Sequence, residues 1–200
     1  MKTNLLIIVA CLGLNPLYYC SLAQDNKIIF GIYETRALKE LHPLSEKMSK
    51  YILNQDLSMD SPVIGYTSTP GMSHFESLLK ESGSTDYNLM STRFSATNRG
   101  ISRAIISLQN KPFIDISDVK TTIAQENAVE VRFTFRGSKR WAKMTKTNTG
   151  KSIAFVVNNE IWSLPVVNAE IRSGVALITG IEDKETAEKL SAMLNKSIKD

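Results

Sequence analysis

The chain has 200 residues, 42% of them hydrophobic and 22% charged, with a formal net charge of +4. That length supports one substantial core or two small lobes, and the composition is that of a globular protein rather than a disordered or fibrous one. The mild positive charge does not mark a nucleic-acid binder, and both cysteines, Cys11 and Cys20, stand at the N-terminal end, so the rest of the chain has no disulfide, thiol nucleophile or cysteine metal ligand.

In chain order, Met1–Ala23 has the grammar of a secretory signal. Lys2 supplies the positive end, Leu5–Leu14 is an apolar run too short for an ordinary spanning helix, and Ser21-Leu22-Ala23 is a small-x-small cleavage site before Gln24. Export to the periplasm or beyond is the expectation. The alternative is a lipoprotein anchored through Cys20, against which Tyr18 and Tyr19 count, since that processing wants small residues.

Residues 24–110 read as an N-terminal α/β lobe. Lys27–Glu34 is a strand that could supply a sheet edge. Arg36–Asn54 is helix-like but broken at His42-Pro43, because the residue before proline is pushed out of the helical region. Val63–Tyr66 is a short strand, and Ser73 with Glu76 is spaced as a capping box for a helix bearing Phe75, Leu78 and Leu79. Glu81–Thr97, rich in serine, threonine and asparagine, reads as loop. Ile101–Gln109 is a strand leading to a domain boundary within 98–112, taken as 110/111.

Residues 111–200 form the second domain. Val129, Val131, Phe133 and Phe135 alternate with Glu130, Arg132, Thr134 and Arg136, a period-two strand. Gly137–Asn148 is a helix with an apolar seam of Trp141, Met144 and Thr145. Lys151–Gly180 reads as three short strands joined by turns. In the first, Ile153, Phe155 and Val157 form the strongly apolar face, and Asn158-Asn159 makes a hairpin turn, since asparagine tolerates positive φ. Asp183 is placed to cap a helix whose Ala187, Leu190, Leu194 and Ile198 recur at three- and four-residue steps. Strand, helix, three strands and helix make an α+β fold, an antiparallel sheet with helices on one face.

These residues carry a family resemblance. Asn148-Thr149-Gly150-Lys151 closing a helix, Ser163-Leu164-Pro165-Val166-Val167, and Gly174-Val175-Ala176-Leu177-Ile178-Thr179-Gly180 follow one another in register. Glu185–Leu190 follows as the last helix, and Lys111-Pro112-Phe113 with Ile116–Val119 precedes as a leading segment. The stretch resembles the head of the first periplasmic domain of SecD, a membrane-embedded accessory subunit of the bacterial protein-export machinery. The resemblance implies a ferredoxin-like α+β fold, an exported location and a link to secretory traffic. SecD continues into a further strand and transmembrane helices whereas this sequence ends at Asp200, so one sheet edge is expected to be less covered, and activity that depends on the membrane part is not carried over.

Residues for chemistry are few. Thr149-Gly150-Lys151-Ser152 looks like the end of a phosphate-binding loop, but its leading glycine is replaced by Thr145 and a strand follows where a helix should present its N-terminus, so no nucleotide is expected. His42 and His74 lack ligand spacing, no Gly-x-Ser-x-Gly elbow exists, and Glu182, Asp183 and Glu185 suit a helix start. No enzyme activity, metal or cofactor is therefore expected. The functional lead is the run Arg136, Lys139, Arg140, Lys143, Lys146 and Lys151, with no acidic residue among them. Lys139, Lys143 and Lys146 share a helix face, with Arg136 and Arg140 on an adjacent one. The alternatives are a solvated face, or a docking surface for an acidic partner or anionic lipid headgroups. Trp162 is either an aromatic grip for extended peptides or a partly buried strand residue. The expected partner is a protein or extended peptide, a secreted chain or translocon component. A borrowed fold that binds an envelope ligand is the alternative.

Overall fold

The computed structural model describes residues 28–40, 60–68, 87–93 and 102–199. In chain order the strands are β1 (Phe30–Glu34), β2 (Val63–Ser68), β3 (Tyr87–Thr92), β4 (Ser102–Gln109), β5 (Ile114–Asp115), β6 (Val119–Ala124) and β7 (Ala128–Phe133). Helix α1 (Phe135–Thr147), strands β8 (Ile153–Val157), β9 (Glu160–Ser163) and β10 (Val175–Thr179), and helix α2 (Lys184–Lys199) follow. One sheet runs β2-β4-β3-β9-β8-β1-β5 and a second runs β10-β7-β6. The architecture is the α+β one expected, and every pairing is antiparallel except β3 with β9.

The larger core lies between the sheets and helices, where Val129, Val131 and Phe133 of β7, Trp141 and Met144 of α1, Phe155 of β8 and Leu190 and Leu194 of α2 meet. Strand β8 is buried along its whole length. Its opposite face, Ala154 and Val156, packs into a second cluster with Tyr33, Ile106, Leu108 and Ile161. Asn158 and Asn159 take φ of 50° and 65°, the left-handed turn that joins β8 to β9.

Four local expectations are corrected. Strand β10 does not continue the β8–β9 hairpin but joins β7 in the other sheet. Strand β1 lies between β8 and β5 and is no edge. Phe135 belongs to α1, because Thr134 ends the strand by accepting the Gly137 amide at 3.1 Å as N-cap. Tyr87–Thr92, within the stretch expected to be loop, is β3: Thr92 is buried, and its hydroxyl accepts the Ala104 amide at 3.1 Å, so its polarity is satisfied inside the sheet. Strands β1 to β4, which precede residue 110, share the larger sheet with β5, β8 and β9, which follow it. The signal segment with Ala23, Gln24 and Cys20, the helices expected around His42 and Ser73, and both histidines lie outside the described residues.

Helix α2 is capped at its N-terminus and fastened to β6 near its C-terminal end. Asp183 accepts the Thr186 amide at 2.7 Å, and Asn195 bonds both the amide (2.8 Å) and the carbonyl (2.9 Å) of Thr122. The cap bond holds the Asp183 carboxyl below the usual range. At Asp115, burial pushes the carboxyl up, but the Ser117 hydroxyl and amide and the nearby arginines outweigh it and the net direction is down. A carboxylate lowered by folding adds stability above its unfolded pKa and loses it as pH falls through the lowered folded value. Denaturant midpoints should therefore be flat from neutral pH down to about pH 4 and fall below it, with Asp183→Asn flattening part of the acid limb.

Candidate partner-binding surfaces

Helix α1 turns Gly137, Trp141, Met144 and Thr145 inward. At about 100° per residue, Phe135, Lys139, Lys143 and Lys146 fall within an arc of about 80° on the opposite side. All four are exposed, Phe135 by 79%. The Lys139 ammonium lies 4.3 Å from the centre of the Phe135 ring. Lys143 and Lys146 form no salt bridge among the described residues. The acidic group nearest in influence is Glu170, whose carboxyl is held low first by the Arg172 guanidinium and last by Lys146.

The two arginines of the basic run do something else. Arg136 Nε lies 2.8 Å from one carboxylate oxygen of Asp118, and Arg140 Nη1 lies 2.8 Å from the other. Arg140 also donates to the Phe113 carbonyl, and Arg136 Nη2 donates to the Ser117 hydroxyl at 2.7 Å. Asp118 is fully buried in the 3-10 turn Ile116–Asp118, whose capping box it closes with Asp115. Arg136 and Arg140 thus hold the helix onto the turn before β6. The three lysines are brought together as the spacing indicates, and the arginines are drawn aside.

A second surface lies where β9 passes the end of β10. A groove of about 300 Å³ is lined by Trp162, Ser163, Leu164, Pro165, Thr179 and Gly180. Trp162 is half-buried, its ring covered by the Arg93 guanidinium 4.0 Å from the centroid, and Arg93 lies 3.6 Å from Glu182. The Phe133 amide donates to the Gly174 carbonyl, and Ala176 and Ile178 stand opposite Val131 and Val129. The alternation of an antiparallel ladder then points the amides and carbonyls of Val175, Leu177 and Thr179 away from β7. Ser163 Oγ takes up the Thr179 end at 3.4 Å, and among the described residues no strand pairs with the rest of that edge. Leu177 is 43% exposed beside it.

Sequence reasoning missed Phe135, Arg93 and Leu177. Phe135 continued an alternating pattern by accident, Arg93 stood in a stretch read as loop, and Leu177 was one aliphatic among several whose outward register depends on pairing with β7.

Taken together, the helix-backed small sheet and the wide mixed sheet define an α+β protein. Residues 95–198, slightly more than half of the chain, match the family model described as SecDF, P1 head subdomain. The chain belongs to that family. SecD of Rhodothermus marinus is 37% identical over 81 residues, which cover 40% of this chain and 13% of that protein. SecD of Rickettsia felis is 35% identical over 81 residues, covering 40% and 16%. SecDF of Thermus thermophilus is 29% identical over 82 residues, covering 40% and 11%. The chain therefore spans a small fraction of the length of these relatives. A solved structure of SecDF, described as a membrane component that enhances protein export, aligns with 83% of this chain and 92% of its own at 15% identity and a TM-score of 0.43. Among the described residues no helix is long and apolar enough to cross a membrane.

Proposed function

We propose that this protein is an exported, non-enzymatic module that acts alongside protein export by holding an extended polypeptide at the outer edge of β10. Membership of the SecDF P1 head family supports the export setting. The observation that carries the binding mode is the outer edge at Val175 and Leu177, unpaired among the described residues, which runs into the Trp162 groove. Unpaired strand groups are a template for strand addition: the main chain supplies affinity without reading sequence, which suits a binder of many different exported chains. The groove beside Trp162 and Pro165 takes one apolar side chain of the added strand. Arg93, stacked on Trp162 and facing Glu182, leaves that pocket without a free charge, so the segment it takes is uncharged there.

The test uses the full chain with a photoreactive residue at position 177 and, as probe, reduced and carboxymethylated α-lactalbumin, which stays unfolded. Crosslinking to the unfolded probe and not to its native form is expected. Leu177→Pro removes an outward amide and keeps the bonds to β7, so it should weaken binding about tenfold with the fold intact. Equal crosslinking of native and unfolded probe, or equal binding by wild type and Leu177→Pro, would reject the edge as the site.

A further inference from the structure

The outer face of α1 combines two features that a solvated helix does not need together. Its cations are all lysines, and a large aromatic ring stands fully out among them at the start of the helix. The guanidinium forks that would grip a partner's carboxylates in pairs, those of Arg136 and Arg140, are already bound to Asp118. What remains exposed is a set of flexible point charges with long apolar stems beside a ring, which suits a diffuse anionic plane better than a shaped acidic protein.

We propose that Phe135, Lys139, Lys143 and Lys146 form a docking face for an anionic phospholipid surface. This goes beyond the polypeptide-binding reading and does not depend on it. Lying flat, α1 sets the ring of Phe135 at the level of the headgroups, and the lysines reach the phosphates on either side. Lys139 leaves the ring for a phosphate. Glu170 is an acidic group that feels Lys146, and its bonds to Arg172 neutralise it locally. The opposite side of α1, with Trp141 and Met144, stays in the core, so docking requires no unfolding.

The apolar run Leu5–Leu14 can itself enter any bilayer, so the readout must be local. The full chain is mixed with vesicles of phosphatidylcholine alone, or of phosphatidylcholine with phosphatidylglycerol, and its amines are labelled and located by peptide mass spectrometry. Lys139, Lys143 and Lys146 should be protected on the anionic vesicles only, while Lys184 on α2 is labelled equally on both. Replacing the three lysines together by glutamine should lower the preference for anionic over neutral vesicles about a hundredfold, and added salt should do the same in part. Phe135→Ser should weaken anionic binding about tenfold. Circular dichroism checks that each variant is folded. Equal labelling on the two vesicle types, or no effect of Phe135→Ser, overturns the proposal. Protection of these lysines by poly-glutamate but not by anionic vesicles would assign the face to an acidic polypeptide instead.

Discussion

Gly137→Ala should destabilise the protein by about 2–4 kcal/mol in urea unfolding, where the same change in an exposed helix would stabilise by about 0.5–1 kcal/mol. The sign is reversed by what lies against the helix. A Cβ at position 137 would meet the Asp118 carbonyl oxygen at 2.2 Å and its carbon at 3.0 Å. That oxygen belongs to the main chain and already accepts the Thr134 amide at 2.8 Å, so it cannot swing aside as a side chain would. Helix α1 would have to lift from the Ile116–Asp118 turn, and Trp141 and Met144, one and two turns on, would lift with it. An alanine variant as stable as the wild type would show that the helix does not rest on the turn as closely as described.

Removing the Asp118 carboxylate is the second large effect. Asp118→Ala should cost about 3 kcal/mol, at the low end of what breaking a buried ion pair costs. The low end applies because the charge left behind is on Arg136 and Arg140, whose side chains are 63% and 37% exposed and can turn to water. Of the two single arginine variants, Arg140→Ala should lose more, since Arg140 is the more enclosed and also ties the Phe113 carbonyl. Because Asp118 and Gly137 share one joint, the double variant should lose less than the sum of the two single losses. Additive losses in the double variant, or a loss below about 1 kcal/mol for Asp118→Ala, would mean that the joint is not a unit.

That joint was not legible in the sequence, and the reason is physical. Charge and spacing place Arg136 and Arg140 on a helix, but they do not say which anion each meets. Asp118 is separated from them by all of β6 and β7, and only the pairing of those strands returns the chain to the turn beneath α1. The lysines, which form no salt bridge among the described residues, kept the surface that their spacing indicated. Strand β3 was hidden for a related reason. Tyr87–Thr92 has little apolar alternation of its own, and it becomes a strand because β4 on one side and Glu160–Ile161 of β9 on the other take up its backbone.

Local pattern was a better guide where each signal acts within a few residues. The seam of Trp141, Met144 and Thr145, the asparagine turn, the Asp183 cap and the order of elements from Val129 onward are all consequences of short-range sterics and hydrogen bonds. Together with the spaced motifs they also pointed to the family.

The sequence by itself therefore determined the helices and strands from Val129 onward, their caps and turns, and the kinship with the SecD head, because these rest on periodicity and on side chains acting on their own backbone. Tertiary structure alone decided that β10 leaves the β8–β9 hairpin for β7, that its outer edge is unpaired among the described residues, that β1 is interior, and that Arg136 and Arg140 serve a buried carboxylate while Phe135 joins the lysines outside. Each of these depends on which distant strand supplies the hydrogen bonds or which distant ion lies close, and a one-dimensional pattern carries no record of either choice.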